Sequence, residues 1–151
     1  MKQFIRTCVV AAAMALAVSG VARAHDDNED GEPCSNATLR GLYVFNPSGF
    51  DIVAGSAQPI TVFELIDFMG NGNLNTPKAT VSANGTIFHD FDVPGTYKVA
   101  SDCTGTLTFD PMGTPPGPLF DLFIAFHGSQ AYMIRTDAGT VLQGTAERVS
   151  R

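Results

Sequence analysis

The sequence predicts an all-β protein: a small closed antiparallel up-and-down β-barrel of about eight strands, preceded by a signal peptide and an acidic tail. Three observations carry this. Beyond residue 24, no long window free of Gly and Pro repeats apolar residues at i, i+3, i+4 and i+7. Short runs rich in β-branched and aromatic residues fill the chain instead. Tight turn signals separate them in sequence, and a long meander of that kind closes on itself to remove its edges. A two-sheet sandwich is the alternative, but there is no Cys–Trp–Cys signature and no Trp.

The N-terminus comes first. "MKQFIR" carries Lys2 and Arg6, "TCVVAAAMALAVSGV" is apolar and uncharged, and "ARA" offers small residues at Ala22 and Ala24. This is the pattern of a secretory signal peptide over residues 1–24, with cleavage near Ala24. The apolar run is short for a bilayer span, so no membrane insertion is expected after cleavage. The mature chain is then 25–151, exported to the periplasm or the medium. It holds six basic against fifteen acidic residues, a net charge of −9. That balance disfavours nucleic acid and anionic membrane surfaces as partners. "HDDNEDGEP" (25–33) concentrates five of the acids and reads as a solvated tail. It lacks the alternating ligands and closing Glu of a calcium loop. A single barrel domain follows over 34–151.

Strands are expected at 39–46, 59–69, 74–82, 85–93, 95–101, 103–110, 119–127, 130–136 and 139–148. The turns between them are "GNGN" (70–73), "NG" (84–85), "PG" (94–95), "GS" (128–129) and "DAG" (137–139). "PMGTPPGP" (111–118) is a rigid loop that cannot join a sheet. Alternation assigns faces. Phe120, Leu122, Ile124 and Phe126 share one side, as do Tyr97, Val99, Cys103, Leu107 and Phe109. In 59–69 both faces are largely apolar and each carries one acid. Glu64 lies with Ile60, Val62, Ile66 and Phe68, and Asp67 with Phe63, Leu65 and Met69.

Loss of the signal peptide removes Cys8 and leaves Cys34 and Cys103. An even count in an oxidising compartment favours a disulfide. Asp102 beside Cys103 would disfavour a reactive thiolate. Closing 69 residues stabilises the fold by roughly 4 kcal/mol on chain entropy alone.

"CSNATLRGLYVF", "FMGNGNL", "GTYKVASDCTGTLTF" and "MIRTDAGTVLQGTA" resemble a group of secreted bacterial proteins of the allene-oxide-cyclase-barrel/calycin type, over nearly all of 34–148. The resemblance implies a small closed barrel with a central cavity. Barrels of that type include enzymes that cyclise or isomerise small hydrophobic molecules, and plain ligand carriers. No catalytic residue carries over from it.

Candidate chemistry rests on few residues. Glu64 in "VFELI", if inward, would be a desolvated carboxylate, the environment of a proton-transferring acid. His89 is the other general acid–base candidate. Tyr43, Tyr97 and Tyr132 offer an apolar body with a polar tip for orienting a ligand, with Phe123 beside them as a contact. Arg135 would clamp a ligand carboxylate if inward, or pair with Asp137. Histidines 25, 89 and 127 lack metal-ligand spacing, "GNGNLNTP" lacks the Lys of a phosphate loop, and no Ser sits in a G-x-S-x-G elbow. No metal or cofactor is called for. The expected partner is a small hydrophobic molecule held in the barrel, by a carrier or binding module. A cofactor-free isomerase or cyclase working through Glu64, His89 or a Tyr is the second reading, and a structural envelope protein with a filled barrel the third.

Overall fold

The computed structural model describes residues 32–90, 92–110 and 117–150. The signal-peptide segment and residues 25–31 of the acidic tail lie outside the described residues. A 3-10 turn (Asn36–Thr38) leads into ten β segments: β1 (Arg40–Phe45), β2 (Ser48–Val53), β3 (Ser56–Met69), β4 (Asn73–Ala83), β5 (Thr86–Asp90), β6 (Val93–Val99), β7 (Thr104–Phe109), β8 (Leu119–Ala125), β9 (Gln130–Arg135) and β10 (Thr140–Ser150).

These ten segments make eight barrel strands. β1 and β2 keep one register against both neighbours: Phe45 pairs with Glu64 and Ser48 with Thr61 on β3, while Phe45 pairs with Ala146 and Ser48 with Gln143 on β10. They are one strand interrupted at Asn46–Pro47, where a proline removes a ladder donor. Gly144 on β10 admits this kink, because a Cβ there would overlap the Pro47 backbone. β5 and β6 likewise keep one register on β4. Every other strand pairs antiparallel with its sequence neighbours, and β1 closes the ring on β10. The result is a closed eight-stranded up-and-down barrel, in which no strand direction is repeated between neighbours.

Alternation fixes the interior. Tyr43 and Phe45, Ile66 and Phe68, Leu107 and Phe109, Phe120 and Leu122, Ala131 and Met133, and Leu142 and Ala146 are buried, and the residues that alternate with them are more exposed. On the face expected to point inward in 119–127, Phe120 and Leu122 are buried and Ile124 is partly buried. In β3 the Glu64 side faces in, and Phe63 and Met69 are exposed.

Two departures from the expected strand layout have local causes. Ser48–Val53 forms a strand with its own turn at Ala54–Gly55, both at positive φ. Pro94–Gly95 makes no reversal; both residues lie inside β6. The break there falls at Asp92, which has φ 56°.

One end of the barrel is sealed. The disulfide Cys34–Cys103 ties the segment before the 3-10 turn to the β6–β7 turn. There the Cys103 N–H donates to the Ala100 carbonyl at 3.1 Å and the Ala100 N–H to the Thr104 carbonyl at 2.8 Å. Cys103 itself takes the left-handed conformation, φ 65°, that closes such a hairpin with a bulge. Asp102 accepts hydrogen bonds from the Thr104 hydroxyl and N–H, which hold its carboxyl below the usual range. Leu39 is fully buried. The Tyr97 hydroxyl lies 2.9 Å from the carbonyls of both Asn36 and Leu39, and the Val99 N–H donates to Asn36 Oδ1 at 2.8 Å. Across the same end, the Tyr43 hydroxyl donates to the Gly128 carbonyl and accepts from Arg148 Nε at 3.0 Å. Arg148 Nη2 also donates to the Gly128 carbonyl. Gly128 is required here twice over: its φ is +76°, and a Cβ would overlap the Thr38 carbonyl.

Candidate functional site

The described residues do not fill the opposite end. A pocket of about 170 Å³ enters the barrel there, above the packed aromatic layer of the sealed end. Its walls follow from the strand parity. β3 supplies Ile60, Val62 and Glu64 from successive inward positions, and β4 supplies Ala79 and Val81. Phe45, Phe109 and Phe120 form an aromatic side, with ring centroids 5.6 Å apart for Phe45–Phe120 and 5.8 Å for Phe109–Phe120, both edge to face. Leu142, Arg135, Val93 and two prolines, Pro47 and Pro118, complete it.

The small residue Ala79 opens this space. β4 pairs with β3 through a one-residue shift between Leu65 and Asp67. Leu74, Thr76 and Ala79 are the buried residues of β4, so its parity changes across Pro77–Lys78. Proline in a sheet interior is confined to such bulges. The bulge brings Ala79, rather than a bulky residue, opposite Glu64.

Polar groups ring the mouth. Arg135, at the end of β9, has its side chain 22% exposed. Its Nε donates to Asp137 Oδ2 at 2.8 Å, and its Nη1 is 3.8 Å from Asp51 Oδ1. Asp137 also accepts the Leu119 N–H at 2.9 Å, and the Thr140 hydroxyl donates to Asp51 at 3.3 Å. Four strand ends are thereby tied together around one guanidinium. Burial pushes the Asp137 carboxyl up, but the Arg135 hydrogen bond, the Leu119 N–H and the Arg135 charge outweigh it and hold it below the usual range.

A carboxyl depressed in the folded state contributes stability above its unfolded value, near 3.9, and that contribution is lost as the pH falls through the folded value. Asp137→Asn is therefore expected to melt below the unsubstituted protein at neutral pH. The gap should close as the pH falls below about 4. Thermal melts from pH 7 down to the acid limit of folding check this, and a gap that persists unchanged at the acid end contradicts it.

The structure distributes the remaining candidates over three places. Tyr43 and Tyr97 are buried at the sealed end, where their hydroxyls bond backbone carbonyls. Tyr132 and Phe123 face each other across β8 and β9 on the outside, 48% and 53% exposed. They border a surface groove with Asn46 and Gln143. His89 is exposed on the outer face of β5, its Nδ1 3.2 Å from the Thr80 hydroxyl. Glu64 and His89 thus lie on opposite sides of the barrel wall, and an acid–base pair made of these two in one cavity is not formed. Glu64 and Arg135 are the two candidates brought together. Asp51, Ala79 and the phenylalanines were outside the sequence reading of the site. Phe45, Phe109 and Phe120 could have been found from parity alone; Asp51 could not, since its strand was unassigned. A wider hollow, about 1010 Å³, lies outside the sealed end against Cys34, Arg40, His127 and Arg148. It is a surface hollow beside Glu32, where the described chain starts.

The chain matches no protein-family model, no curated protein and no solved structure at a significant level. The closed antiparallel barrel of eight strands is consistent with a calycin-like one.

Proposed function

We propose that this is an exported binding barrel that takes a small apolar molecule into the pocket at its open end. The observation that carries the reading is the asymmetry of the interior. One half is packed and clasped, and the other leaves about 170 Å³ lined mainly by Phe, Val, Ile, Leu and Pro. That is below the roughly 300 Å³ of drug-sized sites. An apolar cavity of about 150 Å³ nevertheless holds benzene, so the size fits a compact ring or a short branched chain. The inward set is apolar, the reverse of a membrane barrel, whose lumen is polar and whose lipid face is apolar. Export is supported by the N-terminal pattern and by the Cys34–Cys103 disulfide, since disulfides persist in oxidising compartments.

Native mass spectrometry on protein equilibrated with a panel of small apolar molecules tests the reading. A retained adduct of one molecule per chain is the expected result. Ala79→Phe fills the pocket opposite Glu64 and should abolish the adduct while far-UV dichroism stays that of a β-barrel. Adducts that survive Ala79→Phe place the ligand elsewhere, and a panel with no adduct favours the filled structural barrel.

A further inference from the structure

We infer that the hollow outside the sealed end binds a small oxyanion, a phosphate or carboxylate group, at the guanidinium of Arg148. This site is separate from the apolar pocket, which lies at the other end of the barrel.

The first support is an uneven distribution of charge. The mature sequence is strongly acidic, yet Arg40, Arg148 and His127 all line this hollow. Glu32 is the one acid among its described lining. Two guanidiniums accompany one carboxylate, so the hollow is net positive even with His127 neutral. Acids more than about 8–10 Å away are screened at physiological salt, so the local balance decides what binds.

The second support is the state of Arg148. It is half-buried, and its hydrogen bonds go to uncharged oxygens. Its Nε donates to the Tyr43 hydroxyl at 3.0 Å. Its Nη2 donates to the carbonyls of Gly128, Thr38 and His127, the last two at 3.4 Å. Its Nη1 makes no hydrogen bond to a described residue. No carboxylate of the described residues pairs with Arg40 or Arg148. The bonds to Arg148 therefore fix the plane of the guanidinium without neutralising it. A fork held in place, with donors to spare and no counter-ion, suits two oxygens of a carboxylate or phosphate.

The backbone brings the other groups to it. The bond from Nη2 to the His127 carbonyl sets the guanidinium against the turn that carries the imidazole. His127 and Gly128 are both left-handed, with φ 52° and 76°. Gly128 needs that conformation for packing. His127 is held in it at a cost, and such non-glycine residues cluster at ligand sites. Thr38, whose carbonyl meets the same nitrogen, stands two residues before Arg40. Ser35 and Ser101 add hydroxyls to the lining.

Inorganic phosphate and acetate are titrated into the purified protein at pH 7, with chloride holding the ionic strength constant and serving as the control. The backbone amides of His127, Gly128 and Arg148 and the Arg148 Nε–H are followed by NMR. Saturable shifts at these positions with phosphate or acetate, and not with chloride, are the expected result; the tighter of the two names the head group. Residues of the apolar pocket such as Val81 and Leu142 should not respond. Arg40→Gln and His127→Asn leave the Arg148–Tyr43 bond in place. Each should weaken binding roughly threefold to tenfold without changing the melting temperature. No saturation with either anion, or equal binding to both variants, overturns the inference while the apolar pocket stands. Saturation that appears only after Asp26, Asp27, Glu29 and Asp30 are changed to amides would mean that the chain's own acidic segment holds Arg148, and overturns a site for a free anion. If neither variant folds, the chloride-controlled titration of the unsubstituted protein still decides.

Discussion

Replacing Cys34 and Cys103 together by serine is expected to lower the stability of the barrel by about 4 kcal/mol. The bond closes a loop of 69 residues, long enough that the unfolded chain gains much freedom when it is cut. The native side of the balance changes less. Leu39 stays buried, and the bonds from Tyr97 and Val99 to the 3-10 turn do not depend on the sulfurs. Against a typical domain stability of about 5–15 kcal/mol, such a loss leaves a folded but weakened protein. Urea unfolding should show a lower midpoint and a somewhat steeper slope, because the unfolded chain without the cross-link is more expanded and exposes more surface. A midpoint shift below about 1 kcal/mol equivalent would mean that the clasp adds almost nothing to the bonds around it. The pocket lies at the other end, so ligand binding by the molecules that remain folded should not change. That separates a stabilising clasp from a functional one.

The sequence made the barrel legible because its evidence is local. Turn dipeptides such as Asn84–Gly85 and the alternation of Phe120, Leu122 and Ile124 need no knowledge of distant neighbours. The closed ring was legible only as a preference for removing edges; that β1 pairs with β10 is a non-local fact. β2 escaped because Ala54–Gly55 is a weaker turn signal than Asn–Gly, though both residues reach positive φ. The site was harder. Parity placed Glu64 correctly on the inward face of β3, which runs without interruption. His89 and Val93 are four residues apart and so share parity, but Val93 pairs with the inward Thr76 while His89 pairs with Thr80 on the outer side. The chain changes face between residues 90 and 93, around Asp92, and no apolar pattern signals that switch. The tyrosines show a different limit. Alternation gives the face of a residue but not its height in the barrel. Tyr43 and Tyr97 face inward, yet both lie at the sealed end.

That height matters for Phe68→Ala, which is expected to cost about 4 kcal/mol. Phe68 is 1% exposed and stands between Tyr43 and Tyr97, its ring centroid 5.0 Å from each, edge to face at 80° and 89°. Removing it deletes a large apolar group and leaves a void, because its neighbours cannot collapse into it. Tyr43 is held by Gly128 and Arg148, and Tyr97 by the carbonyls of Asn36 and Leu39. Rings fixed by their hydroxyls cannot tilt inward without breaking those bonds, so collapse does not relieve the cost. Phe68→Leu, which keeps most of the volume, should recover more than half of it. A double-mutant cycle with Tyr97→Phe tests the coupling: freed of its hydroxyl, the ring can relax, and the combined loss should be smaller than the sum. Strict additivity would show that the tether does not limit relaxation. Phe68 is absent from the pocket lining, so folded Phe68→Ala protein should keep any one-to-one adduct that the unsubstituted barrel forms with the apolar panel. If binding fails while the fold persists, the packed half and the open half of the barrel are not independent, and the sealed end holds the pocket in shape.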